Sequence, residues 1–243
     1  MHLSVIIPAY NEEKRLPRTL AEIDKYLRRQ DYDYEILVVN DGSRDKTVEV
    51  GKSLMPTIKN LKITGYENNQ GKGFAVRFGM LEAKGDYRLF SDADNSTSLD
   101  QVEKMWPYFE KGYDVVIGSR DIKGAVLDPP QPWIRNMVLG EGFKLYRKLV
   151  IGLWGIEDTQ CGFKCLNKKA TEEIFPKCLI SRFAFDPEIL VIAQKLGYKI
   201  KEVPVYWKND LESKVKLKSI VSMALDLVRI RLNLIKGAYG KKS

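Results

Sequence analysis

Apolar and polar positions follow two periods along this chain, and the switches between them mark the elements. Leu3 to Pro8 is β-branched, uncharged and stopped by proline, which predicts a buried strand. Leu16, Leu20, Ile23 and Leu27 then recur at helical spacing. Asn11 is a candidate cap for that helix, with Glu12 and Glu13 in a first turn that favours acidic side chains. The alternation continues with strands over Glu35 to Asn40, Leu61 to Tyr66, Tyr87 to Ser91 and Tyr113 to Gly118. Between them lie helices over Ser43 to Leu54, Gly71 to Ala83 and Leu99 to Phe109. This order predicts an α/β fold, a mostly parallel sheet covered by helices on both faces.

After Arg120 the pattern changes. Asp128-Pro129-Pro130-Gln131-Pro132 reads as a loop, and Ile134 to about Leu153 as a helix with Lys144, Arg147 and Lys148 on its polar side. Leu166 to Pro176 and Pro187 to Leu196 read as helices, Lys199 to Tyr206 as a late strand. A last helix over about Val215 to Ile235 has an apolar face wider than a surface helix needs. It either packs on the domain or a second copy, or also lies in a membrane interface, helped by flanking Lys214, Lys216, Arg231, Lys241 and Lys242.

Ligands of parallel α/β sheets bind beyond the carboxyl ends of the strands. Pro8-Ala9-Tyr10-Asn11, Asn40-Asp41-Gly42-Ser43 and Asp92-Ala93-Asp94 all fall at such ends. In the last of these, two carboxylates stand at alternate positions where a buried strand runs out. They could converge on one divalent cation, and oxygen ligands suit Mg²⁺ or Mn²⁺; the bland alternative is an acidic loop capping the next helix. Gly51-Lys52-Ser53 lacks the upstream glycine of a phosphate loop and sits inside a helix. Gly71-Lys72-Gly73 opens a helix, either as plain turn glycines or with amides and Lys72 meeting phosphate.

Composition narrows the chemistry. The 243 residues suffice for one large domain, and a net charge of +8 favours anionic partners. The basic residues are dispersed, so nucleic acid is not expected. His2 is the only histidine, which argues against His-based triads and His-ligated metal. Three sparse cysteines, Cys161, Cys165 and Cys178, form no disulfide framework and read as buried packing. Met1 leads almost directly into strand residues, so no secretory leader is expected. No apolar run reaches the ~20 residues of a membrane span.

Taken in order, V-I-I-P-A-Y-N-E-E (5–13), N-D-G-S (40–43), N-N-Q-G-K-G (68–73), D-A-D (92–94) and G-S-R (118–120) resemble the family 2 inverting glycosyltransferases of GT-A fold. D-T-Q-C-G-F-K (158–164) and R-F-A-F-D-P-E (182–188) narrow the resemblance to the dolichyl-phosphate β-glucosyltransferase branch, with dolichyl-phosphate mannose synthases as near relatives. The resemblance implies that Pro8, Tyr10, Asn11 and Glu12 line a nucleoside pocket, with Asp41 at base or ribose and Gly42 and Ser43 shaping its turn. Lys72 would lie near the nucleotide, Asp92 at ribose or metal, and Asp94 would be the main ligand of Mg²⁺ or Mn²⁺. Arg182 would approach the donor pyrophosphate, and Asp158 and Gln160 the donor sugar or reaction centre. Arg120 and Arg135 would hold an acceptor phosphate. Departures from the family pattern are Asn40 for Asp, Asn95 for Gly and Glu212 for Gly, and Leu139 stands where mannose synthases can offer a Ser.

The expected organisation is a GT-A domain over 1–210, with a nucleotide-binding half at 1–120, an acceptor half at 121–210, and a membrane-associating helix and basic tail over 211–243. The expected enzyme moves a hexose, glucose from UDP-glucose or mannose from GDP-mannose, to dolichyl or polyprenyl phosphate. It would work peripherally on the cytoplasmic face of a membrane, with a homodimer as a further option. A phosphomonoester, with a second pKa of roughly 6, needs no strong general base. A carbohydrate hydroxyl acceptor would need one, and Asp158 is the candidate. A non-catalytic nucleotide-sugar sensor on the same fold is the remaining alternative.

Overall fold

The computed structural model describes residues 2–129, 141–208 and 217–240, with side chains of the last segment from 221 onward. Seven strands form the central sheet: β1 (His2–Ala9), β2 (Asp33–Asp41), β3 (Leu61–Tyr66), β4 (Tyr87–Ser91), β5 (Val115–Ser119), β7 (Phe163–Asn167) and β8 (Ile200–Pro204). Their order is β3-β2-β1-β4-β7-β5-β8, parallel except for β7, which runs antiparallel between β4 and β5. The strand order reverses beside β1, where β4 joins on the side opposite β2, and open α/β sheets place their ligand crevice at such a point. A small parallel ribbon pairs β6 (Val126–Asp128) with β9 (Tyr206–Lys208).

The sheet is buried on both faces because alternate strand residues serve two cores. Leu3, Val5 and Ile7 face α1 (Leu16–Leu27) and the 3₁₀ turn at Leu99–Lys104, which leads into α4 (Trp106–Glu110). Ile6 and Phe90 face α3 (Lys72–Glu82), α6 (Lys168–Ile174) and α7 (Phe185–Leu196). In α1, Leu16, Leu20, Ile23 and Leu27 are all buried, at roughly 1.5–3 kcal/mol each for full burial. Leu20→Ala would remove about 2–5 kcal/mol. The remaining α-helices among the described residues are α2 (Thr47–Leu54), α5 (Gly142–Ile151) and α8 (Leu217–Ile235).

Several boundaries differ from the sequence reading. Asn11 does not cap α1; it holds φ +55°, and the helix starts at Leu16 with Pro17 at its beginning, where a missing N–H costs little. Helix α2 starts at Thr47 because Asp45 binds Thr47 and the Glu13 amide in the preceding turn. The main miss is β7: the sequence pattern predicts no strand there and reads its last two residues, Leu166 and Asn167, as the start of a helix. Lys164 interrupts its apolar run, and the strand passes into α6 at once, capped by Asn167 accepting from the Ala170 N–H (2.8 Å). The three cysteines are free and buried, and burial pushes the Cys161 thiol up to about 12.

Helix α8 carries two apolar stripes. Met223, Leu227 and Ile230 pack inward; Val221, Leu225, Val228, Leu232 and Ile235 point outward at helical spacing. Leu145 and Leu149 of α5, against which α8 packs, are also exposed. No helix among the described residues is long and apolar enough to cross a membrane.

Candidate active site

The carboxyl ends of β1 and β2 form one wall. The Asn11 N–H donates to Ser43 Oγ (3.1 Å), Asn11 Oδ1 accepts from the Arg44 N–H (2.9 Å), and the Glu12 N–H donates to Thr47 Oγ1 (2.8 Å). Pro8 pairs with Val39, Ala9 ends the β1 ladder opposite Asn40, and Tyr10 stands exposed beyond it. Asn40, in place of the commoner Asp, accepts from the Ser43 N–H (3.0 Å) and closes the turn. Gly42 is required there: its φ is +65°, and a Cβ would lie 2.5 Å from the Asn69 nitrogen. Asp41 is buried and already engaged. It accepts from Tyr66 Oη (2.9 Å), Asn69 Nδ2 (2.8 Å) and the Gln70 (2.7 Å) and Gly71 N–H groups, so its carboxylate organises the loop into α3. The Phe74 N–H likewise goes to the Ser181 carbonyl (3.2 Å). Gln70, Gly71 and Phe74 therefore have partners within the chain, and Lys72 is the group at this helix start that reaches the site.

Lys72 Nζ lies 2.6 Å from Asp92 Oδ1. Burial disfavours its charge, but Asp92 and Asp186 outweigh that and raise its pKa. Asp94, two residues on, is held by the Ser96 N–H (2.9 Å); burial, then the charge of Asp92, raises its pKa. A carboxylate whose charge is opposed by burial and by a neighbouring carboxylate suits a divalent cation. Among the described residues, no cluster of three or more His, Cys, Asp or Glu stands at a metal-ligating geometry. The loop is fixed from below by Thr19 Oγ1 donating to the Ala93 carbonyl (2.7 Å). Asn95 holds φ +53°, a conformation that Asn tolerates and Gly takes freely, and its side chain bonds Glu22 instead of facing the pair.

The second wall comes from β5 and the turn into β7. Asp158 is buried and grips Arg120 by both oxygens: Nε to Oδ2 (2.7 Å) and Nη2 to Oδ1 (3.0 Å), with the Arg120 N–H also on Oδ2 (3.0 Å). Its Oδ1 accepts from the Gln160 (3.0 Å) and Cys161 (3.1 Å) N–H groups. Burial opposes the Asp158 charge, but Arg120 and these donors hold the carboxyl well below the usual carboxylate range. The Arg120 guanidinium also lies over the Trp207 ring of β9, 4.7 Å from its centroid. Fixed on one edge and one face, Arg120 keeps donors free for an anion. Gln160 Nε2 is buried without a partner among the described residues.

Gly162 joins the two walls. A Cβ there would sit 2.2 Å from Asp92 Oδ2, so only glycine lets the turn pack on that carboxylate. Beneath, Lys164 of β7 is fully buried and paired with Asp186 of α7, while its Nζ also donates to the Cys161 carbonyl. Exposed Arg182 precedes α7 beside Gly71. Arg135 lies outside the described residues, as does Leu139. Trp207, Gly162, Lys164 and Asp186 were not foreseen as site residues. The motifs 158–164 and 182–188 contain three of them, but only the fold shows their pairing.

An α/β sheet with an acidic pair at the β4 end, a basic helix start and an arginine held across the crevice defines a glycosyltransferase of the GT-A kind. Glycosyl transferase family 2 matches residues 4–175. A dolichyl-phosphate β-glucosyltransferase of Trichomonas vaginalis is 36% identical over 250 residues, covering 98% of this chain and 76% of that protein. The Dictyostelium discoideum dolichyl-phosphate β-glucosyltransferase is 37% identical over 256 residues, covering 100% and 78%. Glucosyl-3-phosphoglycerate synthase from Mycobacterium tuberculosis, solved with Mn²⁺, UDP and glucosyl-3-phosphoglycerate, superposes with a TM-score of 0.67 at 17% identity, covering 100% of this chain and 81% of that one. The chain belongs to glycosyl transferase family 2, in the branch of the dolichyl-phosphate β-glucosyltransferases.

Proposed function

We propose that this enzyme transfers glucose from UDP-glucose to dolichyl or a related polyprenyl phosphate, with inversion and with a divalent metal. The observation that carries the choice of acceptor is Asp158. A hydroxyl acceptor needs a base whose pKa lies near the working pH. Asp158 is locked onto Arg120 and held ionised far below that range, so it is a weak base. A phosphate monoester arrives already ionised, and the names of the relatives agree with it.

The acceptor phosphate oxygen attacks the anomeric carbon. The bond from that carbon to the donor diphosphate breaks, and its electron pair leaves with UDP. Residues 1–120 supply the nucleotide side: Pro8, Tyr10, Asn11, Glu12, Gly42 and Ser43 frame the nucleoside, and Asp41 holds the loop that presents Lys72. Asp92 and Asp94 would hold Mg²⁺ or Mn²⁺, which when bound supplies positive charge to the leaving diphosphate. The neighbour with Mn²⁺ and UDP supports that choice by fold alone. Lys72 and Arg182 add charge there, and preorganised charge of this kind is usually the largest contribution to such catalysis. Residues 121–210, with Arg120 and Arg135, form the acceptor side, where Arg120 binds the acceptor phosphate and Gln160 orients the sugar.

The outer stripe of α8 and the exposed Leu145 and Leu149 would rest in a lipid interface, which keeps the isoprenoid chain in the bilayer. The test is to incubate the protein with labelled UDP-glucose, Mg²⁺ or Mn²⁺ and polyprenyl phosphate in detergent. The reading requires metal-dependent label in the organic phase that vanishes without the lipid. Label that stays aqueous, in a protein shown to bind UDP, overturns it.

A further inference from the structure

Arg147 is the largest fully buried side chain of the described residues, yet it forms no ion pair among them. A buried guanidinium without a carboxylate partner is costly, and an apolar residue of similar volume would pack as well or better. Its bonds show what it holds. Nη2 donates to the Ile156 carbonyl (2.8 Å), Nη1 donates to Thr159 Oγ1 (2.8 Å), and both reach the Glu157 carbonyl at 3.4 Å. Every one of these partners belongs to the four-residue turn containing Asp158.

The same turn is gripped from its other side. Glu202 of β8 accepts from the Glu157 N–H through Oε2 (2.8 Å) and from the Asp158 N–H through Oε1 (2.9 Å). A cation thus takes the carbonyls and an anion takes the amides of one short segment. Lys148, one residue beyond Arg147, binds the Glu157 carboxylate (2.9 and 3.1 Å). Lys144 of the same helix binds Asp121 (3.0 Å), the residue after Arg120. Helix α5 is therefore bolted to the chain neighbours of both members of the Arg120–Asp158 pair.

We propose that Arg147, opposed by Glu202, is a positioning residue that sets the Ile156–Thr159 turn so that Asp158 presents Arg120 to the acceptor phosphate. Neither residue touches the reacting atoms; both act through Asp158. This rests on the acceptor role assigned to Arg120 above. The consequence is a split in kinetics. Loosening the turn disturbs the β5 and β7 wall and leaves the β1 and β2 wall, where the nucleoside sits, unchanged. Misplacing a binding group by about 1 Å can cost 10²-fold.

The experiment uses the full chain as Arg147→Met, Arg147→Lys and Glu202→Gln. Three quantities are read: UDP affinity, KM for polyprenyl phosphate, and amide exchange of Gln160 and Cys161, whose N–H groups sit on Asp158. Arg147→Met is expected to raise the acceptor KM roughly tenfold or more while UDP affinity stays within about twofold. Arg147→Lys, which can still reach one or two carbonyls, recovers part of the loss. Gln160 and Cys161 exchange faster in Arg147→Met and Glu202→Gln with no acceptor present. That readout is independent of turnover, so it separates this inference from the acceptor reading: slow exchange in the variants overturns the former, and wild-type protein inert toward lipid phosphate overturns the latter. Unchanged acceptor KM beside a lowered melting temperature makes Arg147 a structural bolt only and sinks the proposal. Should Arg147→Met fail to fold, Arg147→Lys and Glu202→Gln decide on the same readouts.

Discussion

Replacing Asp158 with asparagine keeps the shape and removes the charge, which isolates the pair with Arg120. Asp158 accepts five hydrogen bonds, two on Oδ2 and three on Oδ1. An amide turns one of those oxygens into a donor, so either orientation strands at least two N–H groups. Stranded buried donors cost about 1–3 kcal/mol each, and breaking a buried ion pair about 3–5 kcal/mol in total. The Arg120 side chain is 23% exposed, so water recovers part of this. The expected loss is roughly 3 kcal/mol, which at about 2–4 °C per kcal/mol for a chain of this size lowers the melting temperature by about 6–12 °C.

The sign with pH follows from the depressed carboxyl. Its stabilisation is fully present above the unfolded value of about 3.9 and is lost as pH falls through the lower native value. The gap between wild type and Asp158→Asn should be constant from pH 5 to 8 and narrow only in acid. Thermal melts across that range check it. The rate on lipid phosphate should fall with Arg120 misplaced, while any acid limb near pH 6 survives, because it belongs to the acceptor. A melting temperature unchanged at pH 7, or a neutral-pH limb that disappears in the variant, would refute the reasoning and restore Asp158 as a base.

Asp94→Asn should lower metal-dependent turnover by about 10²-fold or more and weaken UDP binding in Mn²⁺ while leaving metal-free UDP binding alone, measured by calorimetry; equal UDP affinity in both proteins with Mn²⁺ would exclude it as a ligand. Gly162→Ala places a Cβ 2.2 Å from Asp92 Oδ2, so donor turnover should drop while the melting temperature falls by no more than a few degrees; wild-type activity would mean that the turn does not need this close approach. Leu149→Glu with Leu225→Glu should reduce sedimentation with anionic lipid vesicles without changing UDP affinity, since both side chains are exposed; undiminished sedimentation would place the lipid contact elsewhere.

Much of the β1, β2 and β4 edge of the crevice was legible because it depends on local pattern. Leu3 to Pro8 and Leu61 to Tyr66 announce strands by β-branching and length, Tyr87 to Ser91 by its aromatic and apolar positions, and in a parallel sheet the strand ends fall on one edge. The β5 and β7 wall was harder. In Phe163–Asn167 a single lysine hides a strand, because the charge that makes Lys164 look solvent-facing is answered by Asp186, 22 positions away. Arg147 looked like one more basic residue on the polar side of a helix, whereas the fold buries it against carbonyl groups that no side-chain pattern reveals. Asn95 shows the reverse: it stands where glycine is common, and its positive φ explains the exchange. The sequence left packing and membrane contact as alternatives for the last helix. The structure shows the packing, through Met223, Leu227 and Ile230, and leaves a second apolar stripe facing out.

The central claim is that sugar passes to a phosphate oxygen that needs no protein base. The most direct measurement offers one polyprenol as its monophosphate and as the free alcohol, side by side, with UDP-glucose and Mn²⁺. The account predicts organic-phase label from the phosphate alone, with an alkali-stable, acid-labile glucosyl phosphate as product. Comparable label on the free alcohol, lost in Asp158→Asn, would contradict it.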